Sequence, residues 1–212
     1  MRQFIRSIAI RICFATIFIM VLSAPARAQG ITPLSGEISA NVGFNNVISG
    51  IVKDYFNNNS TGINEEYVQF GFSGGINLSK QIAVLGEFNY LPLATAATGY
   101  TGSIDAQMYG GAVRYSPISS NRFVPYVVAG GGSTRLSVSD SYQGVKTSVS
   151  HNRNYYGFGG GVSIYAGRNW GIRPEYRWNR QIQTYNSVNY TINASTGSVA
   201  VFYQWGGRQT KK

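Results

Sequence analysis

The stretch 170–179, WGIRPEYRWN, constrains the fold more than any other part of the chain. At period two, one face carries Trp170, Ile172, Pro174, Tyr176 and Trp178, and the other carries Gly171, Arg173, Glu175, Arg177 and Asn179. Successive side chains of a strand point to opposite faces, so one face here is apolar and aromatic and the other is charged. A water-soluble sandwich can show the same alternation. A Trp at each end of the apolar face, with the ions concentrated opposite and between them, favours lipid on one side and a polar lumen on the other. Tilted as in a membrane barrel, the stretch rises about 20–25 Å, close to the height of an outer-membrane apolar band.

Seven further segments repeat this pattern. Ile38, Ala40, Val42 and Phe44 alternate with Glu37, Ser39, Asn41 and Gly43, and Phe70, Phe72 and Ile76 alternate with Gln69, Gly71 and Gly75. Val84, Phe88 and Tyr90 oppose Leu85, Glu87 and Asn89, and Tyr109, Val113 and Tyr115 oppose Met108, Ala112 and Arg114. In the fifth segment Gly130-Gly131-Gly132 carries no facing information. We expect Val124, Tyr126 and Val128 to point outward there, and Ala129, Ser133 and Arg135 inward. Tyr156, Phe158 and Val162 alternate with Gly157, Gly159 and Gly161, and Val199, Val201, Tyr203 and Trp205 alternate with Ser198, Ala200, Phe202 and Gln204. The sum is an even number of strands, as closure with both ends on one side requires.

The connections alternate too. Short ones (Ser79-Lys80-Gln81, residues 116–122, Gly167-Arg168-Asn169) separate long polar ones at about 46–66, 92–105, 139–154 and 180–194. The predicted fold is all-β: an eight-stranded antiparallel up-and-down transmembrane β-barrel with short periplasmic turns and longer outer loops. Glycines on the inward face, such as Gly71, Gly110, Gly159 and Gly161, suit an interior only wide enough for side chains to fill.

Composition agrees. Only 12% of the 212 residues are charged, against about 25% in an average soluble domain. Residues 1–28 read as a signal peptide that is removed: Arg2 and Arg6, an apolar run over 12–24, then Ala26-Arg27-Ala28 at the cleavage site. The run is about thirteen residues, where a membrane-spanning helix needs about twenty. The domain expected to remain is 29–212. The signal carries four of the 18 basic residues and none of the eight acids, so the formal charge of +10 falls to +6 on its removal. The remaining bases are scattered, which gives no support to nucleic-acid binding. Cys13 leaves with the signal, so no disulfide or Cys metal site is expected.

Three of these stretches, 80–90 (KQIAVLGEFNY), 125–132 (PYVVAGGG) and 171–178 (GIRPEYRW), resemble the small eight-stranded outer-membrane barrels of the OmpA-like and opacity-protein group. The resemblance spans the mature chain and marks a fold more than an activity. It implies a bacterial outer-membrane address, surrounding lipid and lipopolysaccharide, and insertion by the assembly machinery that reads an aromatic-ended last strand, here 199–205. A peptidoglycan tether, as in full-length OmpA proteins, is not expected.

The candidate site is the lumen, where Glu37, Glu87 and Glu175 face Arg114, Arg135, Arg173 and Arg177. Near-neutral content is what a filled interior requires, because unpaired buried charge is costly. Such a network serves either as a structural plug or as a gate on a narrow small-solute or ion path. Tyr90, Tyr109, Tyr115, Tyr126, Trp170, Tyr176, Trp178, Tyr203 and Trp205 are expected at the two headgroup levels. Enzymatic readings pass through His151, the only histidine. Lipid A-modifying barrels pair a His with a Ser and an acid, but Arg153 stands where the deacylase pattern has its serine. Neither HExxH nor a Walker loop is present, so no cofactor or metal is expected. The function expected is a non-enzymatic structural or surface-interaction role.

Overall fold

The computed structural model describes residues 31–50, 66–95, 101–118, 122–142, 145–185 and 188–206. They form eight strands: β1 Ser35–Gly50, β2 Glu66–Asn77, β3 Ile82–Thr95, β4 Thr101–Tyr115, β5 Phe123–Tyr142, β6 Val145–Tyr165, β7 Trp170–Tyr185 and β8 Val188–Gly206. Each pairs antiparallel with the next, and β8 returns to β1 with Ser35 opposite Gly206 and Ala40 opposite Val201, closing the barrel. Closure leaves no edge, so backbone donors and acceptors are satisfied strand to strand.

Alternation decides the two surfaces. Ile38, Phe72, Val84, Val113, Phe158 and Val201 are exposed on the outer wall, while Glu37, Leu85, Met108, Ala112, Ala200 and Phe202 are buried inside. Ile172 lies on the outer parity of β7 yet is buried, clustered with Ile164 and Ala166 and flanked by Val162 and Val199.

The fifth strand corrects the expected facing. Val124, Tyr126 and Val128 are buried and point inward, whereas Phe123 and Val127 are exposed. Register explains this: Val128 lies opposite Arg114, which is inside, and directly paired residues share a face. Arg135, on the other parity, is exposed and does not join the lumen groups.

The outer connections also differ from expectation. β5 and β6 run on to Tyr142 and Val145, and β7 and β8 to Tyr185 and Val188, so the predicted loops 139–154 and 180–194 are mostly paired strand. Polar Ser, Thr and Asn do not prevent pairing when a hairpin satisfies the backbone. At about 3.3 Å per residue, the 21 residues of β6 reach well beyond the apolar band. The loop predicted between β1 and β2 falls largely on 51–65, and the signal segment wholly on 1–30, both outside the described residues.

Proline marks two irregularities. The β3–β4 register shifts between Pro92 and Ala94, a bulge where the ring removes a ladder donor. β6–β7 pairing lapses between Gly161–Glu175 and Ile164–Ile172, opposite Pro174. Arg173 Nε donates to Ser163 Oγ at 3.0 Å across that gap, a side-chain bond where the ladder has none.

Ahead of β1 the chain turns at Leu34, φ 56°, whose N–H donates to the Asn77 carbonyl at 2.7 Å. Ile31 is buried with Val124, Tyr165 and Phe202, forming an apolar floor to the barrel.

Candidate functional site

Directly above that floor lies the first of two ion groups. Glu37 of β1 is 1% exposed and receives both terminal nitrogens of Arg114 of β4, each at 2.8 Å. Arg173 of β7 meets the same carboxylate through Nη1 at 2.8 Å. Gln204 of β8 donates to Glu37 Oε2 at 2.9 Å and to the Tyr165 hydroxyl at 3.1 Å. Asn77 of β2 accepts from Arg114 at 3.1 Å and donates to Ser35 Oγ at 2.9 Å. The Arg173 guanidinium lies 4.5 Å from the Phe202 ring centroid, a cation–π contact with the floor.

The second group is higher. Arg177 makes a fork to Glu87 of β3, at 2.7 and 3.0 Å, and its Nη2 also meets Glu175 Oε1 at 2.9 Å. The lower group pairs one acid with two bases and the upper group two acids with one base. Together they are neutral, as low-dielectric burial demands. Between them is a cavity of about 50 Å³ bordered by Ser39, Ser73, Glu87, Arg173, Arg177 and Ser198. Its size and polar lining suit a few water molecules.

Tyr126 joins the two groups. Its ring lies 5.8 Å from the Arg114 guanidinium and 5.7 Å from that of Arg173, and its hydroxyl donates to Glu175 Oε2 at 2.9 Å. Expected at a headgroup level, this residue is instead a lumen residue, because β5 has the opposite facing. A Cβ on Gly161 would stand 2.5 Å from the Tyr126 oxygen, so that glycine makes room for the ring. Six of the seven expected lumen ions thus meet in two groups, and Arg135 does not join them. The parity of β2 and β8 put Asn77 and Gln204 on the inward face, but their meeting with the Glu37–Arg114 pair came only with the closed barrel. No pattern within 123–132 pointed to Tyr126.

Above the upper group, Leu91, Ala106, Met108 and Tyr155 form a further buried apolar cluster. The lumen is therefore layered: apolar floor, ions, small cavity, ions, apolar lid.

Over residues 14–204 the sequence matches the outer membrane protein beta-barrel domain family. The chain belongs to that family. This outer-membrane barrel also matches solved structures, all at low identity, so they speak for the fold alone. Neisserial surface protein A superposes with a TM-score of 0.57 at 13% identity, covering 80% of this chain and 97% of the other. Ail, the attachment invasion locus protein of Yersinia pestis, gives 0.57 at 13% identity, with 82% and 99% covered. OprG, an outer membrane protein of Pseudomonas aeruginosa, gives 0.50 at 8% identity, with 85% and 100% covered. No curated protein sequence matches. No helix among the described residues is long and apolar enough to cross a membrane, and this barrel crosses with strands.

On the outer wall, Tyr115, Trp170, Tyr203 and Trp205 are exposed beside the short turns, and Tyr90, Tyr109 and Tyr176 are exposed further along their strands. Trp178 is half-buried between Tyr156 and Phe158, with ring centroids 6.1 and 5.2 Å away. His151 lies within β6, paired with Leu136, and not at the end of a loop as expected from sequence.

Proposed function

We propose that this barrel is a non-enzymatic structural or surface-interaction protein of the bacterial outer membrane, its lumen held shut by the Arg/Glu groups. In this reading the signal peptide 1–28 directs export and the assembly machinery inserts the barrel. The short turns face the periplasm, and lipid and lipopolysaccharide surround the wall. The aromatic residues beside the turns and further up the strands mark the two headgroup levels. The observation that carries the reading is the layered interior: an apolar floor and two sets of ion pairs bound a cavity of about 50 Å³. Eight strands leave an interior that side chains fill. The surface and attachment terms in the names of two similar folds agree with a role at the cell surface, where the far hairpins rise past the membrane.

Planar-bilayer recording tests it. Purified protein is expected to give no steady conductance steps. The second reading, a narrow small-solute or ion channel, draws on the polar cavity between the two ion groups. It expects ion-selective steps altered by Arg173→Ala or Glu87→Ala, and their appearance in wild-type protein would replace the first reading. Lipid A mass spectrometry on expressing cells covers enzymatic activity: no shift is expected, and a shift that His151→Ala abolishes would make the barrel an enzyme.

A further inference from the structure

Ten residues of β7 separate Trp170, exposed beside a short turn, from Arg180 toward the far end of the strand. At about 3.3 Å per residue and a tilt of about 45°, that run rises roughly 23 Å, nearly the full height of an outer-membrane apolar band. Arg180 therefore stands where the hydrocarbon ends on the side away from the short turns. It is directly paired with Tyr156 of β6, which is exposed on the outer wall. Paired residues share a face, so Arg180 is an outer-wall residue too. Trp178 precedes it by two positions on the same face and packs against Tyr156 and Phe158. Aromatic rings toward the hydrocarbon with a guanidinium at their polar edge are the order in which these side chains meet a bilayer surface.

Among the described residues this guanidinium has no counter-charge. Its Nε is buried without a hydrogen-bond partner, and no acidic side chain pairs with it. The positions around it on the wall all belong to the described part of the barrel. Tyr156 and Asn193 stand directly opposite, and Phe158, Asn154, Ser195 and Thr191 lie diagonally on the two flanking strands. None of them is acidic. Asn154 is exposed, and Ser195 and Thr191 are half-buried. These amide and hydroxyl side chains donate or accept hydrogen bonds without adding charge, which suits the hydroxyls of a sugar. The fork of an arginine suits a phosphate.

We infer that Arg180 binds a phosphate of a phosphorylated glycolipid of the lipid A class in the outer leaflet, with Asn154, Thr191 and Ser195 beside the sugar that carries it. The inference rests on the outer-membrane reading above, which has lipopolysaccharide around the wall, and adds the chemical group recognised and the residue that recognises it. The phosphate of a zwitterionic phospholipid already has an ammonium group as its counter-charge and brings no hydroxyl to the flanking strands. A phosphate on a sugar carries net charge and has ring hydroxyls next to it, so it meets both parts of this patch.

The test uses the whole mature protein folded in detergent micelles, with bound lipid counted by native mass spectrometry. The probes are bisphosphorylated lipid A, the same lipid after removal of its phosphates, phosphatidylglycerol and inorganic phosphate. Wild-type protein is expected to bind the phosphorylated lipid A about tenfold or more tightly than the dephosphorylated form, the scale of a charge-assisted hydrogen bond. R180Q should remove most of that difference, and R180K, which keeps the charge without the fork, should remove part of it. Should R180Q lose its heat-modifiable gel mobility, R180K and the comparison of the two lipids on wild-type protein carry the test. Folded wild-type protein that binds both forms of lipid A equally overturns the site but leaves the barrel intact. A difference unchanged in R180Q and R180K overturns the role of Arg180. Phosphatidylglycerol binding as tightly as lipid A, or inorganic phosphate displacing it at millimolar concentration, overturns the glycolipid and leaves a general phosphate site. Wild-type protein that folds into neither micelles nor bilayers removes the membrane reading, and the lipid site falls with it.

Discussion

Tyr126 stands between an ion group with an excess base and one with an excess acid, and its hydroxyl supplies Glu175 with a donor that no arginine provides. Tyr126→Phe keeps the ring between Arg114 and Arg173 but leaves a part-buried carboxylate oxygen short of a partner. The expected cost is about 1–3 kcal/mol, read as a lower urea midpoint of the folded barrel in detergent or lipid. A larger effect is expected at Glu37, which holds two arginines at once. Glu37→Gln leaves both guanidinium groups in the interior without their counter-charge, and the loss should be about 3–5 kcal/mol in the same measurement. The participation of Glu37, Glu87, Arg114, Arg173, Glu175 and Arg177 was legible because each falls on the inward parity of a clearly alternating strand. Their partners were not. Pairings such as Glu37 with Arg114, 77 positions apart, depend on the relative height of strands around the closed wall.

At the scale of single elements, β5 separates what periodicity can show from what it cannot. Both parities of 123–128 are apolar: Phe123, Pro125 and Val127 on one, Val124, Tyr126 and Val128 on the other. Three consecutive glycines then remove any further cue, and Arg135 lies beyond them. A one-residue change of phase inverts every side chain, so an uninformative stretch leaves the facing open until a neighbouring strand sets the register. The observed facing predicts that Val127→Arg, on the outer wall opposite Tyr115, costs about 1 kcal/mol, less than the same change would at the bilayer midplane, and slows assembly into bilayers. Single cysteines give an independent check: one at 127 should react with a lipid-phase thiol reagent while one at 128 stays protected. The length of the far hairpins is hidden from sequence for a different reason. Polar composition reads as loop, but strand pairing outside the membrane needs only hydrogen-bonding partners and tolerates Ser, Thr and Asn on both faces.

For the whole molecule, closure is the property from which the others follow. The wall has no free edge, its outside is apolar, and its inside is full. The floor built from Ile31, Val124, Tyr165 and Phe202 adds a stopper that precedes the first strand. Ile31→Ala should lower stability by about 2 kcal/mol or more by leaving a void in this cluster, visible as a lower temperature for the heat-modifiable gel shift. It should not by itself produce conductance, because the Glu37–Arg114–Arg173 group remains above it. Conducting Ile31→Ala protein would show that the ion group is no barrier.

Strand number, the turns at one end and the identity of most inward ions were present in the order of residues, because alternation and turn chemistry act between near neighbours. The facing of β5, the bridging place of Tyr126, the floor made by Ile31 and the extent of the hairpins came only with the closed sheet. Those features depend on which residues of distant strands stand at the same height, and the register that sets this is a property of the complete ring of hydrogen bonds.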